Sequence, residues 1–193
     1  MRLIEDRLEN MRGGDMQGPD RRFDVTLGFN ADGKIQTMRM HAVDDIGAYS
    51  GRSPLQLGKP VGAIVGPYKI KSVQYRATAV MTHKTPQEAV RGFGQAPTNY
   101  ALETGIDKVA RFLGIERDEL RRRNLIGSHE FPYLIPSGTH YDSGDYATVL
   151  NKAQATAADC GVQSQLEALV FQDVRFFKIA RLLLHENFDF GCV

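Results

Sequence analysis

Phe23-Asp24-Val25-Thr26-Leu27-Gly28-Phe29 alternates apolar and polar side chains at the two-residue period of a strand, and Asn30-Ala31-Asp32-Gly33 follows it with a turn signal. Ile35 to Ala42 then reads as the returning strand, so this stretch predicts a β-hairpin. Working outward, Asp44 to Pro67 is rich in Gly, Pro and Ser and has no clean period, which predicts a loop or broken helix. Asp44-Asp45 is read there as a turn or helix-start signal rather than as paired carboxylates. Tyr68 to Met81 predicts another strand, with Val73, Tyr75, Ala77 and Ala79 along one face.

After Pro97 the period lengthens. Leu102, Ile106, Val109, Ala110 and Leu113 fall on one helical face, and Gly114 supplies a C-terminal cap. A second short helix is expected over Arg117 to Asn124, carrying Arg121-Arg122-Arg123 as a solvated face. Phe131 to Tyr141 reads as a Pro- and Gly-containing connection. Asp142-Ser143-Gly144-Asp145 then marks a helix start, with Asp142 or Ser143 as cap. From about Gly161 the texture changes, and Leu166 to Leu184 fits one amphipathic helix. These elements predict an α+β fold, a hairpin-rich mixed sheet with packed helices.

The composition bounds the class. With 42% hydrophobic and 24% charged residues and a net charge of +1, the chain fits an ordinary globular protein and gives no electrostatic reason to invoke nucleic acid. No stretch is apolar enough for a membrane span and no secretory leader is evident, so the expected location is cytoplasmic. Cys160 and Cys192 make no CxxC pair, and His41, His83, His129, His140 and His185 share no spacing. Neither set predicts a metal site.

The chemistry concentrates in Ala89-Val90-Arg91-Gly92-Phe93-Gly94-Gln95, between strand and helix. Two glycines around an aromatic residue let a ligand approach the backbone closely. Arg91 adds a permanent fork-shaped cation suited to an anionic oxygen, and Phe93 a flat face for a planar substrate. The following helix aims its positive end at the same region. From the residues alone the plainer reading is a tight strand-to-helix turn, with Phe93 in the core and Arg91 paired on the surface. A generic phosphate cradle is a third reading, but no GxxxxGK[ST] or ordered GxGxxG accompanies it.

A collinear series of motifs adds to this. Ile4-Glu5-Asp6-Arg7-Leu8-Glu9, Gly33-Lys34-Ile35, Asp45-Ile46-Gly47-Ala48-Tyr49, Gly66-Pro67-Tyr68-Lys69-Ile70, Thr85 to Gln95, Glu119 to Asn124 and Tyr141-Asp142-Ser143-Gly144-Asp145-Tyr146 occur in that order. Together they resemble the molybdopterin-binding large subunit of the xanthine dehydrogenase and aldehyde oxidase family, which includes the carbon monoxide dehydrogenase large-chain group. In that family the first of these stretches opens a strand region. The resemblance covers about residues 3 to 158, which implies one part of a molybdopterin-binding domain over 1–158. Residues 159–193 are then an unmatched tail, helical or the product of a frameshift.

The resemblance implies an oxidoreductase that hydroxylates a carbon centre of an aldehyde, purine or heteroaromatic small molecule, with water as oxygen source. It implies a molybdenum cofactor held by molybdopterin, with iron–sulfur clusters and FAD on partner subunits or domains. Arg91, Gly92 and Gly94 then fall at the cofactor, beside the molybdenum centre, and Phe93 falls where a ring stacks on substrate. Lys59 lies near the place of a substrate-orienting arginine, though a surface lysine is the plainer reading. Gly92 occupies the position that copper-containing carbon monoxide dehydrogenases fill with cysteine, so a copper-bridged site is not expected. The family's base glutamate, its G-Q-G loop and its upstream glycine-rich loop are not among these residues. The expectation is a chain that binds the cofactor weakly or not at all and shows no turnover. A non-catalytic remnant or interaction module that keeps the fold is the alternative.

Overall fold

The computed structural model describes residues 3–9 and 18–159. Strand β1 (Arg21–Phe29) runs antiparallel to β2 (Ile35–Gly47), and β3 (Ser72–Met81) lies parallel on the other side of β2, giving a mixed sheet of order β1-β2-β3. The hairpin forms where the Asp-Gly turn predicts it. Asn30 closes the turn, its side-chain oxygen accepting from Lys34 N–H at 2.8 Å, and Gly33 takes φ +82°.

Val25, Leu27, Met38, Met40 and Ala42 alternate onto one face of the sheet, which α2 (Gln95–Leu113) covers. Leu102, Ile106, Val109 and Ala110 of α2 are buried, as the 3.6-residue period requires. Each large side chain so buried contributes about 1.5–3 kcal/mol. Gly105 lets the helix approach β1: a Cβ there would sit 3.1 Å from Leu27 Cδ1. Gly114 at φ +65° ends α2 as expected, and α3 (Arg117–Asn124) turns back over the hairpin loop. A short helix, α1 (Ser53–Gly58), leads into a 3₁₀ turn at Lys59–Ala63 beside the sheet.

Several expectations change. Strand β2 continues to Gly47, so Asp44-Asp45 sits in the sheet and not in a turn or helix start. His41 lies in the returning strand as expected and is half-buried, with Nε2 3.0 Å from Thr78 Oγ1. On β3, Val73 and Tyr75 are half-buried, Tyr75 donating to Leu57 O at 2.8 Å, but Ala77 and Ala79 are exposed. Arg121 is not part of a solvated face: its side chain is 18% exposed and bonds Glu103 at 2.7 Å and Asp107 at 2.8 Å, clamping α3 to α2. Tyr68 donates to the same Glu103 at 2.8 Å, and burial together with that carboxylate raises the Tyr68 hydroxyl above its ordinary range.

Two short strands, β4 (Tyr133–Leu134) and β5 (His140–Tyr141), pair within the Pro- and Gly-containing connection. Helix α4 (Tyr146–Asp159) follows, and its cap is Asp145, whose carboxylate accepts from Thr148 N–H at 3.0 Å. Asp142 instead accepts from Ser143 N–H at 2.7 Å, one residue on. At the other end of the chain, residues 7–9 form a helical turn rather than opening a strand. Asp6 and Glu9 bracket that turn with reciprocal backbone-to-carboxylate bonds of 3.0 and 2.8 Å. The amphipathic helix read after Gly161, both cysteines and His185 lie outside the described residues.

Candidate functional site

After β3 the chain runs back along the end of β2. Ala48 N–H donates to Lys84 O at 3.0 Å, and Gln87 N–H to Ile46 O at 3.3 Å. Thr82 Oγ1 donates to Asp45 at 2.7 Å, which, ahead of Gly47 N–H and Lys84, holds that carboxyl below its usual range. Gly47, at φ +77°, admits this crossing, since a Cβ would lie 2.5 Å from Thr85 O.

The chain then makes two interlocked turns before α2. Phe93 N–H donates to Val90 O and Gln95 N–H to Gly92 O, both at 2.8 Å. Three consecutive residues have positive φ: Gly92 at +102°, Phe93 at +39° and Gly94 at +86°. Glycine tolerates this; Phe93 does so at a cost of order 1–3 kcal/mol. Thr98 Oγ1 closes the first turn of α2 by donating to Gly94 O at 2.9 Å.

The four residues singled out from the sequence thus meet in one turn but differ in what surrounds them. Arg91 and Gly92 are exposed, Phe93 is half-buried and Gly94 is buried. A Cβ on Gly94 would overlap the carbonyl oxygen of Gln56 in α1 and come within 3.2 Å of Pro60 Cγ. Its glycine is demanded by the protein itself. Gly92 is different: a Cβ there would meet only Ala96 Cβ at 3.8 Å, which leaves the backbone open to an incoming group. Arg91 makes no ion pair or hydrogen bond among the described residues, contrary to the paired surface arginine of the plainer reading. Two of the loop amides are already engaged, because Phe93 and Gln95 use theirs inside the turn.

Lys59 is exposed on the segment packed against the loop, next to Pro60. Sequence reasoning missed the layer behind the loop. Gln87 and Gln56, both buried, tie it to β2 and α1, and nothing local in their sequence signals that role. Among the described residues no group of three or more His, Cys, Asp or Glu is placed to hold a metal ion. An apolar groove of about 260 Å³ lies between α4 and Tyr68, lined also by Leu125 and Leu150, and shares no residue with the loop.

The donor set fits one part of a phosphorylated, heteroaromatic cofactor. It offers a guanidinium without a partner among the described residues, an open glycine backbone and a half-buried aromatic ring. A group with several anionic and hydrogen-bonding oxygens needs more donors than one turn supplies.

Comparison with known proteins narrows the cofactor. The family model described as molybdopterin cofactor-binding domain matches residues 1–125. The nicotine 6-hydroxylase large subunit of Paenarthrobacter nicotinovorans is 31% identical over 156 residues, covering 78% of this chain and 19% of that protein. The carbon monoxide dehydrogenase large chain of Hydrogenophaga pseudoflava is 32% identical over 158 residues, 79% of this chain and 19% of that one. Among solved structures, quinoline 2-oxidoreductase from Pseudomonas putida 86 superposes with a TM-score of 0.72 at 32% identity, covering 86% of this chain and 22% of its own. The chain spans about a fifth of the length of the curated relatives it matches.

Proposed function

The chain belongs to the molybdopterin cofactor-binding domain family, and from that premise we propose that Arg91 to Gly94 form one wall of a molybdenum hydroxylase site. The observation that carries this is the turn itself: a phenylalanine held at φ +39° beside an exposed arginine without a partner among the described residues. Strain of this kind persists where surrounding structure over-determines it, and it clusters at ligand sites.

Arg91 would bind and orient an anionic oxygen of cofactor or substrate, while Gly92 leaves room for the approach. Phe93 would flank a planar substrate and exclude water from that side. When bound, the molybdenum cofactor supplies the oxidation by which a carbon centre gains oxygen from water. Relatives named for nicotine, quinoline and xanthine support a nitrogen-containing heteroaromatic substrate, a purine included. Gly92 offers no thiolate, which argues against a copper-bridged site. Iron–sulfur and flavin groups would sit on partner subunits or domains.

We take 1–158 as one unit and 159–193 as a tail apart from it. The relatives are about four times as long, and further polypeptide is expected to supply the remaining walls. Tyr49 and Tyr100, each about three-quarters exposed, and Leu55 are apolar surface that such polypeptide would cover.

The test has two arms. Purified alone from a host that makes the cofactor, the chain is expected to carry far less than one molybdenum per molecule and to reduce no dye. Stoichiometric metal with dye reduction would overturn the one-wall reading. Grafted in place of the matched 156 residues of the nicotine 6-hydroxylase large subunit, it is expected to restore metal loading, and Arg91→Ala to cut that loading at least tenfold. A graft that folds but loads no metal, or loads it equally with alanine, favours the non-catalytic remnant.

A further inference from the structure

Behind the turn lies a closed ring of buried polar contacts. Asp44, fully buried in β2, accepts from Arg21 Nη2 at 2.6 Å, and the arginine side chain is itself only 1% exposed. The other end of that guanidinium, Nη1, lies 3.5 Å from Gln56 O in α1. Gln56 Nε2 donates in turn to Glu88 O at 3.0 Å. Glu88 follows Gln87, and Gln87 Nε2 returns to Asp44 at 3.1 Å while also donating to Asp45 O. The carbonyl of Gln56 that Arg21 approaches is the one against which Gly94 is packed.

We infer that Arg21, Asp44 and Gln87 are positioning residues for the Arg91–Gly94 turn, fixing its place against the sheet through Gln56 and Glu88. The inference rests on the reading of that turn as a cofactor wall, but the ring acts on the loop whether or not a cofactor binds.

Two features separate this from a merely stabilising cluster. A buried ion pair contributes little net stability over apolar residues of the same volume, so stability alone does not account for it. It also joins four segments at the point where the strained turn begins. Arg21 also lies over the ring of Phe23, 5.9 Å from its centroid. Asp44 therefore holds the turn from two directions, through Arg21 to Gln56 and through Gln87 to Glu88.

The deciding measurement is residue-resolved amide hydrogen exchange on the full chain without cofactor, comparing Gln87→Leu with the unsubstituted protein. The leucine leaves the Asp44–Arg21 pair and its path through Gln56 intact and cuts the direct link from Asp44 to the loop. Amides of residues 88–94 are expected to exchange at least tenfold faster, while those of Leu102–Ala110 and of the β1–β2 ladder stay within twofold. Asp44→Asn, which keeps an acceptor for Gln87, is expected to give a smaller change in the same residues. Loop and core amides quickening together, or the loop not changing, would overturn the inference. Should the leucine variant fold poorly, Gln87→Met gives the same readout. Because no cofactor enters this experiment, a chain that never loads molybdenum leaves its outcome untouched.

Discussion

Gly94→Ala is expected to destabilise the chain by about 3 to 5 kcal/mol, against about 1 to 2 kcal/mol for Gly92→Ala two residues earlier. Both glycines have strongly positive φ, +86° and +102°, so alanine pays a conformational penalty at either position. The difference lies in what the new methyl group meets. At Gly92 the nearest atom is Ala96 Cβ at 3.8 Å, an ordinary contact. At Gly94 the methyl group overlaps the Gln56 carbonyl oxygen and lies 2.9 Å from its carbon, and both atoms belong to a backbone held by Arg21. A flexible side chain would swing aside; a helix carbonyl does not. Urea unfolding monitored by far-ultraviolet circular dichroism tests this, because a shift in midpoint at constant slope reports stability alone. Equal losses at the two positions would show that packing against Gln56 is not what requires glycine at Gly94.

That pair also shows how far the sequence could be read. The glycines were expected to allow close approach, and both sit in the strand-to-helix turn as predicted. Which one approaches protein and which one opens outward depends on Gln56 and Pro60, which no local pattern links to the loop. The same limit explains Asp44. Two adjacent acids after an apolar run look like the end of a strand, yet β2 continues because Arg21 and Gln87 satisfy the buried carboxylate from far along the chain. Arg121 looked solvated within its own helix because its partners, Glu103 and Asp107, lie on the preceding one. Where the pattern is local the reading holds: the Asp-Gly hairpin, the buried face of α2, the Gly114 cap and the bounds of α3 all follow from neighbours a few residues apart. The Arg91 turn was legible as a location, while its open side and its supporting ring were not.

Asn124→Ala is expected to cost about 3 kcal/mol or more, since it strands buried groups worth about 1–3 kcal/mol each. Asn124 is 4% exposed and uses its whole amide. Its oxygen accepts from Ile35 N–H at 2.8 Å, and its nitrogen donates to Gly33 O at 2.9 Å and Leu120 O at 2.8 Å. Its own carbonyl accepts from Lys69 N–H at 2.8 Å. One residue thus joins the hairpin turn, the end of α3 and the Gly66–Ile70 step, three of the stretches that carry the family resemblance. Packing through Asn124 thus accounts for these three stretches without a ligand. Asn124→Asp separates the two halves of the amide. The carboxylate still accepts from Ile35 but faces the Gly33 and Leu120 carbonyls without a proton to offer, and its folded-state pKa is raised. The variant should therefore approach the parent below the unfolded pKa of about 4 and lose stability as pH rises above it. Urea midpoints for parent and variant between pH 3.5 and pH 7 measure this, and a pH-independent gap would show that the amide nitrogen's two bonds contribute little.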